Sequence, residues 1–392
     1  MRVISKVKDG LISPYILAFI GDLNLSMMQV LTILYGVILG AFPWQNGFIG
    51  GGYGLSYLIM AALLGRLGDK IKRKNSLLLA LISQLLISLY YIFIASTIIE
   101  LILGQIALGC AYGFFWPSLE AYISERSTES PVVHQKAISN FCIFWSIGYT
   151  LGPFLAGFLS DFNVEIGFIM IFLFYLTAFI ILLLFIPSEK NNLNLLAKSH
   201  EGEIFDGKKK AFSDSNLVIK LLIGMLIYAM LGKLVLNYFA DYASRPLGLG
   251  LKGAIVGVLL FSFGIGRTFY FILSRYVNSS LKRLNVAYLV ISLLLIFLAF
   301  VDVVGIIFVI ILIFGVCAGL IYKSSLEILL VSEEEKKATK AGLFESMIGI
   351  GSGLSPIIAG YLAEIALIFP FFIFGIVASL IFFINLFFKN FR

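Results

Sequence analysis

The sequence predicts an all-α polytopic membrane protein, twelve transmembrane helices arranged as two pseudo-symmetric six-helix bundles. Three observations carry this. Of 392 residues, 60% are hydrophobic and only 13% charged, where a soluble globular domain carries about 25% charge. The apolar residues fall in twelve uninterrupted runs of bilayer length, not in the weak alternation of a membrane β-barrel. The second six runs repeat landmarks of the first. The mean hydropathy of +1.01 agrees.

The runs lie at roughly 11–37, 46–65, 75–96, 100–123, 137–159, 165–187, 216–239, 251–273, 284–301, 304–331, 339–362 and 366–388. Span one follows a basic lead of Arg2, Lys6 and Lys8, and runs past the length of a signal-peptide core without a small-residue cleavage site, so no cleaved leader is expected. It holds one acid, Asp22. Span two is glycine-rich and uncharged from Gly47 to Leu64, and span three is uncharged from Asn75 to Thr97. Between them Gly65 to Lys74 packs one acid and five bases into ten residues, the mark of a water-side loop. Spans four and five carry Glu120 and a Gly/Pro pattern. Ser188 to Ser215 is a hydrophilic linker with the triplet Lys208-Lys209-Lys210. The expected units are therefore residues 1–187, a linker over 188–215, and residues 216–392. In the second unit span seven holds Lys233, span eight Arg267, span ten Lys323 and Glu327, and span eleven Glu345.

Charge fixes the expected orientation. Of 29 Lys and Arg, 24 fall in segments on the side of the two termini, two (Arg245 and Lys252) on the other side, and three inside spans. The positive-inside rule then puts both termini in the cytoplasm of a cell-membrane protein. The same distribution argues against nucleic acid as the reason for the net charge of +7. Cys110, Cys142 and Cys317 all lie in apolar runs and read as buried hydrophobes, with neither disulfide nor metal spacing.

The internal repeat is specific. Cys110-Ala111 with Ser118-Leu119-Glu120 in span four recurs as Cys317-Ala318 with Ser325-Leu326-Glu327 in span ten, offset by 207. Gly148 to Gly157 in span five recurs as Gly351 to Gly360 in span eleven, offset by 203, and the acids Asp161 and Glu364 keep that offset.

Twelve spans in two repeated halves resemble the major facilitator superfamily. The loop matches that family's motif between helices 2 and 3 (Gly-x-Leu-Ala/Gly-Asp-Arg/Lys-x-Gly-Arg/Lys-Arg/Lys) at Gly65, Leu67, Gly68, Asp69, Lys70, Arg73 and Lys74, and departs at Lys72. The resemblance implies a gate latch that holds the inner side closed. Asp69 suits the positive end of a neighbouring helix or a pairing with Arg73. In the second half Arg275 stands where Asp69 would be, so the expected latch is one-sided. Gly148, Gly152, Pro153 and Gly157 resemble the family's antiporter motif, with Ala156 for one glycine. The resemblance implies an exporter; the alternative is plain helix packing through small residues and a proline bend.

Ionisable residues inside a membrane are costly and mark candidate sites. Asp22, Ser26 and Gln29 form one stripe of span one, with Asp22 ~16 Å deep at ~1.5 Å per residue. Asp22 is expected to be a proton or substrate site, or else a structural acid. Tyr112, Trp116 and Glu120 stack on span four, an aromatic-carboxylate face suited to organic cations or amphipaths. Lys323 and Glu327 on the matching face of span ten sit one turn apart and suit mutual neutralisation. Lys233 stands alone in the outer half, a proton or substrate candidate whose plainer reading is snorkelling to the interface; Arg267 and Glu345 are placed to pair.

The expected function is secondary active transport of small molecules by alternating access, proton-coupled through a buried carboxylate, with export of amphipathic, drug-like compounds favoured. Uptake of a sugar, organic acid or other metabolite is the alternative. A channel or scramblase is a rival. An enzyme is disfavoured, because the histidines, His134 and His200, lie outside the spans. No phosphate-binding Gly-x-x-x-x-Gly-Lys-Ser/Thr loop occurs, so nucleotide-driven pumping is disfavoured too. The expected partners are a small-molecule substrate, protons and the lipid bilayer, with a monomeric chain and no cofactor or metal.

Overall fold

The structure is a computed structural model that describes residues 2–67, 72–127, 131–187, 215–274, 276–277, 280–330 and 337–387. Among these residues every regular element is a helix. The rods are α1 (Arg2–Ile38), α2 (Pro43–Leu67), α3 (Arg73–Phe93), α4 (Ile98–Glu125), α5 (Pro131–Phe162) and α6 (Val164–Phe185). A second set follows: α7 (Ser215–Lys233), continued by a π-helical segment (Leu234–Phe239) and a last turn (Ala240–Ser244), then α8 (Gly253–Leu273), α9 (Leu281–Leu298), α10 (Val304–Leu330), α11 (Lys337–Ile365) and α12 (Phe369–Phe387). These are the twelve expected rods. Ten of them are, over their described residues, long and apolar enough to cross a membrane. Helices suit that solvent because each satisfies its own backbone hydrogen bonds where no water can.

Packing repeats the sequence repeat. In the first half α1 lies on α5, α2 on α4, and α3 on α4 and α6; in the second α7 lies on α11, α8 on α10, and α9 on α10 and α12. The halves meet through α2 against α11 and α5 against α8, two seams related by the same exchange of halves. α1 is almost wholly buried, whereas α3, α6 and α9 present large apolar side chains such as Leu86, Leu184, Phe185 and Leu293 to the outside. On a soluble protein such a surface would aggregate; in a bilayer it is the lipid-facing wall.

Short loops set the rod ends. Thr97 and Glu100 form a reciprocal capping box on α4, and Asn163 accepts the backbone N–H of Glu165 at the start of α6. Gly40 (φ +79°) and Gly250 (φ +60°) occupy the left-handed region that L side chains rarely adopt. They sit in the α1–α2 and α7–α8 connections, equivalent places in the two halves.

The expected boundary of span seven at residue 239 falls short. The helix continues to Ser244 because the π turn carries Asn237 and Asp241 inward and buries both. A hydropathy reading stops at such polar residues even where the backbone does not.

Candidate functional site

A cavity of about 170 Å³ lies between the two halves, walled by α1, α2, α4, α5, α7, α8, α10 and α11. Nine of its eighteen lining residues are aromatic, so flat apolar groups meet rings on most sides. Four ionisable side chains enter it: Asp22, Glu120, Lys233 and Arg267. Trp116 also lines it.

Asp22 is 5% exposed. Its backbone carbonyl accepts the Ser26 hydroxyl at 2.7 Å, which leaves the carboxylate itself to the cavity. Lys233, 8% exposed, does not snorkel. Its ammonium donates to Gln29 Oε1 and lies 5.4 Å from the centre of the Tyr53 ring. The expectation failed because the chain around Lys233 is enclosed by α1 and α2, so no route leads to an interface. Gln29, two stripe positions from Asp22, thus holds the lysine and is not among the residues that line the cavity.

Arg267 is 3% exposed and sits in a box of rings, 4.2 Å from the centre of Tyr149, 4.7 Å from Trp145 and 5.6 Å from Phe263. Its Nε and Nη2 have no hydrogen-bond partner among the described residues. The side chains of Glu345 and Glu327 lie outside the described residues, and so do Gly68 and Asp69 of the loop; Gly65 is described as part of α2 by its backbone. Arg73 pairs with Glu125 at 3.1 Å, which ties the start of α3 to the end of α4.

The span-four stripe divides. Trp116 and Glu120 reach the cavity, and Glu120 is exposed at its rim, one turn from the end of α4. Tyr112 is fully buried behind it, donating to Gly21 O at 2.6 Å and meeting Tyr175 Oη at 3.1 Å. It fixes α4 to α1 and α6. Lys323 donates to Ser274 O at 2.7 Å, placing a cation on the negative end of α8.

The span-five residues act at helix seams. A Cβ on Gly148 would lie 2.1 Å from Phe19 O, one on Gly152 2.1 Å from Ser26 Oγ, and one on Gly157 2.2 Å from Gly253 O. Gly148 and Gly152 therefore seat α5 on α1, and Gly157 seats it on α8. Pro153 lies inside α5 beside this second seam, its carbonyl facing Gly257. The echo holds by position. Gly351 meets α7, Ser355 donates to Met230 O of α7 at 2.6 Å, and Gly360 meets the start of α2.

The cavity is sealed at the end of the bundle remote from the termini. Asp161 accepts the backbone N–H groups of Gly253 (2.7 Å) and Ala254 (2.9 Å), capping α8 from the other half. Glu364, its repeat partner, accepts the Trp44 N–H at 3.3 Å at the start of α2. Asp241 takes both Nε and Nη2 of Arg245 at 2.8 Å and the Asn46 amide, while Arg245 Nη2 also reaches Ala41 O at 2.8 Å. The acids Asp161 and Glu364 were visible in the sequence as repeat landmarks. The ring box of Arg267 and the Asp241 cluster were not, because their partners come from separate helices.

Comparison with known proteins agrees with this architecture. Residues 14–333 match the family model described as Major Facilitator Superfamily. The tetracycline resistance protein, class H, of Pasteurella multocida is 27% identical over 269 residues, covering 66% of this chain and 62% of that protein. The quinolone resistance protein NorA of Staphylococcus aureus is 23% identical over 256 residues, covering 64% of this chain and 60% of NorA. These matches span under two thirds of either relative's length. Among solved structures, a POT family transporter in complex with 5-aminolevulinic acid superposes with a TM-score of 0.78 at 13% identity, over 97% of this chain and 96% of that one. The human organic anion transporter MFSD10 gives 0.71 at 14% identity, over 97% and 99%. At such identities the likeness speaks to the fold alone.

Proposed function

The chain belongs to the major facilitator superfamily, and from that premise we propose that it is a proton-coupled exporter of amphipathic small molecules. A multi-pass membrane transporter, rather than an enzyme, is what family membership establishes; coupling, direction and cargo are the proposal. The observation that carries it is Asp22, a buried carboxylate that makes no ion pair within 4 Å among the described residues and opens into a ring-lined cavity that both halves build.

Protonation of such a group changes the charge of the cavity by one unit in a medium of low dielectric, where charges interact several-fold more strongly than in water. That is enough to bias which end of the cavity opens. Lys233 and Arg267 keep Asp22 within a mixed-charge site, and the rings accept the apolar body of a cargo. Export is supported by the resistance proteins among the relatives and by the glycine seams of α5. In this reading the termini face the cytoplasm and the exposed rim at Glu120 is the cytoplasmic entrance. Residues 1–187 and 216–392 rock about the cavity, linked by 188–215, in a monomer. Uptake of a sugar, organic acid or other metabolite is the second reading, and Arg267 in the cavity is the group that suits an anionic cargo.

The test is flux in proteoliposomes with an imposed pH gradient, using a panel of fluorescent amphipaths. Wild type should move at least one of them against its gradient. Asp22→Asn should abolish gradient-driven movement, at least tenfold, while leaving exchange down the substrate gradient. Undiminished gradient-driven flux in Asp22→Asn would remove Asp22 from the coupling step.

A further inference from the structure

Two opposite charges enter the cavity without touching one another. Asp22 and Arg267 are both more than nine-tenths buried, both line the cavity, and neither forms an ion pair within 4 Å among the described residues. The other buried cation, Lys233, is already engaged by Gln29 and Tyr53. A buried charge without a contact ion pair is poorly compensated, and two of opposite sign set apart in one enclosed space suit a ligand that brings a counter-charge to each. Cation–π contact with Trp145 and Tyr149 orients the guanidinium but satisfies none of its N–H donors.

We infer that the cargo of this cavity is an aromatic zwitterion, its carboxylate on Arg267, its ammonium on Asp22, and its rings against Trp116, Trp145 and Tyr149. This rests on the transport reading above and names its substrate class. It also explains how one carboxylate serves both ion and cargo. A proton on Asp22 removes the ammonium's counter-charge, so the two compete, which is what exchange in opposite directions requires.

The experiment is calorimetric binding to the full chain in nanodiscs with four probes of one shape: β-(2-naphthyl)alanine, its amide, its N-acetyl derivative and its N-acetyl amide. They are zwitterion, cation, anion and neutral. The zwitterion should bind tightest, and the anion at least tenfold tighter than the neutral probe. Arg267→Gln should erase the advantage of anion over neutral, and Asp22→Asn that of cation over neutral. Arg267→Lys should keep part of the first, which separates lost charge from lost folding; a thermal melt of each variant checks the latter. An anion no tighter than the neutral probe, an advantage surviving Arg267→Gln, or a zwitterion no tighter than either singly charged probe overturns the inference, as does the absence of naphthylalanine binding. Because binding is read without flux, loss of charge preference strikes this inference alone, and loss of gradient coupling with preference intact strikes the transport reading.

Discussion

Gln29 is the residue on which Lys233 depends. It is buried among apolar neighbours at the α1–α7 contact, and its Oε1 is the acceptor for the ammonium. Replacing it by Ala removes that acceptor and leaves the ammonium to the Tyr53 ring and the attraction of Asp22. A lost hydrogen bond to a buried charged group costs about 1.5–3 kcal/mol. Gln29→Ala should therefore lower the thermal midpoint in detergent, and Gln29→Met, of similar size, should not restore it. An unchanged midpoint for both would show that Lys233 is held by other means. The four cavity charges were legible in the sequence, since each interrupts an apolar run. What they touch was not. Lys233 and Arg267 both looked like lone bases, yet one is hydrogen-bonded across the halves and the other boxed by rings. Apart from Phe263, one turn from Arg267 on its own helix, those partners lie more than a hundred residues away, and periodicity along one helix carries no information about a neighbour on another.

At the scale of elements, the seams matter more than the spans. The same two acids that mark the repeat, Asp161 and Glu364, each cap or approach the start of a helix in the opposite half. A carboxylate at a helix N-terminus satisfies orphan N–H groups and faces the positive end of the helix dipole, worth about 0.3–2 kcal/mol each. Asp241 adds a third tie through Arg245 and Asn46. Together these hold one end of the molecule shut. The double variant Asp161→Asn with Glu364→Gln should open it. The readout is a cysteine at Ala41, 1% exposed, in a background where Cys110, Cys142 and Cys317 are Ala. Its modification by a membrane-impermeant maleimide should rise severalfold in the double variant, and an unaltered rate would deny the acids that role. The repeat and the helix count were readable because they are properties of one chain segment at a time. The continuation of α7 to Ser244 was not, because a π turn and two buried polar residues interrupt the pattern that hydropathy follows. The α5 glycines follow the same logic: their spacing announced close packing, and only the structure says against which helices. Gly148→Val, which puts branched carbons where Phe19 O already lies, should destabilise by roughly 1–3 kcal/mol, read as a lower melting temperature.

For the whole molecule, the two-fold exchange of halves makes a rocking motion the natural one. The α5–α8 and α2–α11 seams are equivalent, lined by small residues over much of their length, and tied by Asp161 and Glu364 at the end remote from the termini. Breaking the ties at that end, while the halves close over Glu120 at the other, would carry the cavity from one face to the other without unpacking either half. The end of α2 and the start of α3 lie at the closing end, and Asp69→Asn, in the connection between them, is predicted to favour the state described here. The direct measurement is a pair of spin-label distances on the two ends of one seam. Labels at Phe162 and Leu247, both well exposed, report the sealed end. Labels at Lys136 and Tyr276, both exposed, report the other. On adding a transported substrate or changing pH across the titration of Asp22, a second population should appear in which the first distance is longer and the second shorter. If both distances stay fixed, or both change in the same direction, alternating access about this cavity is contradicted.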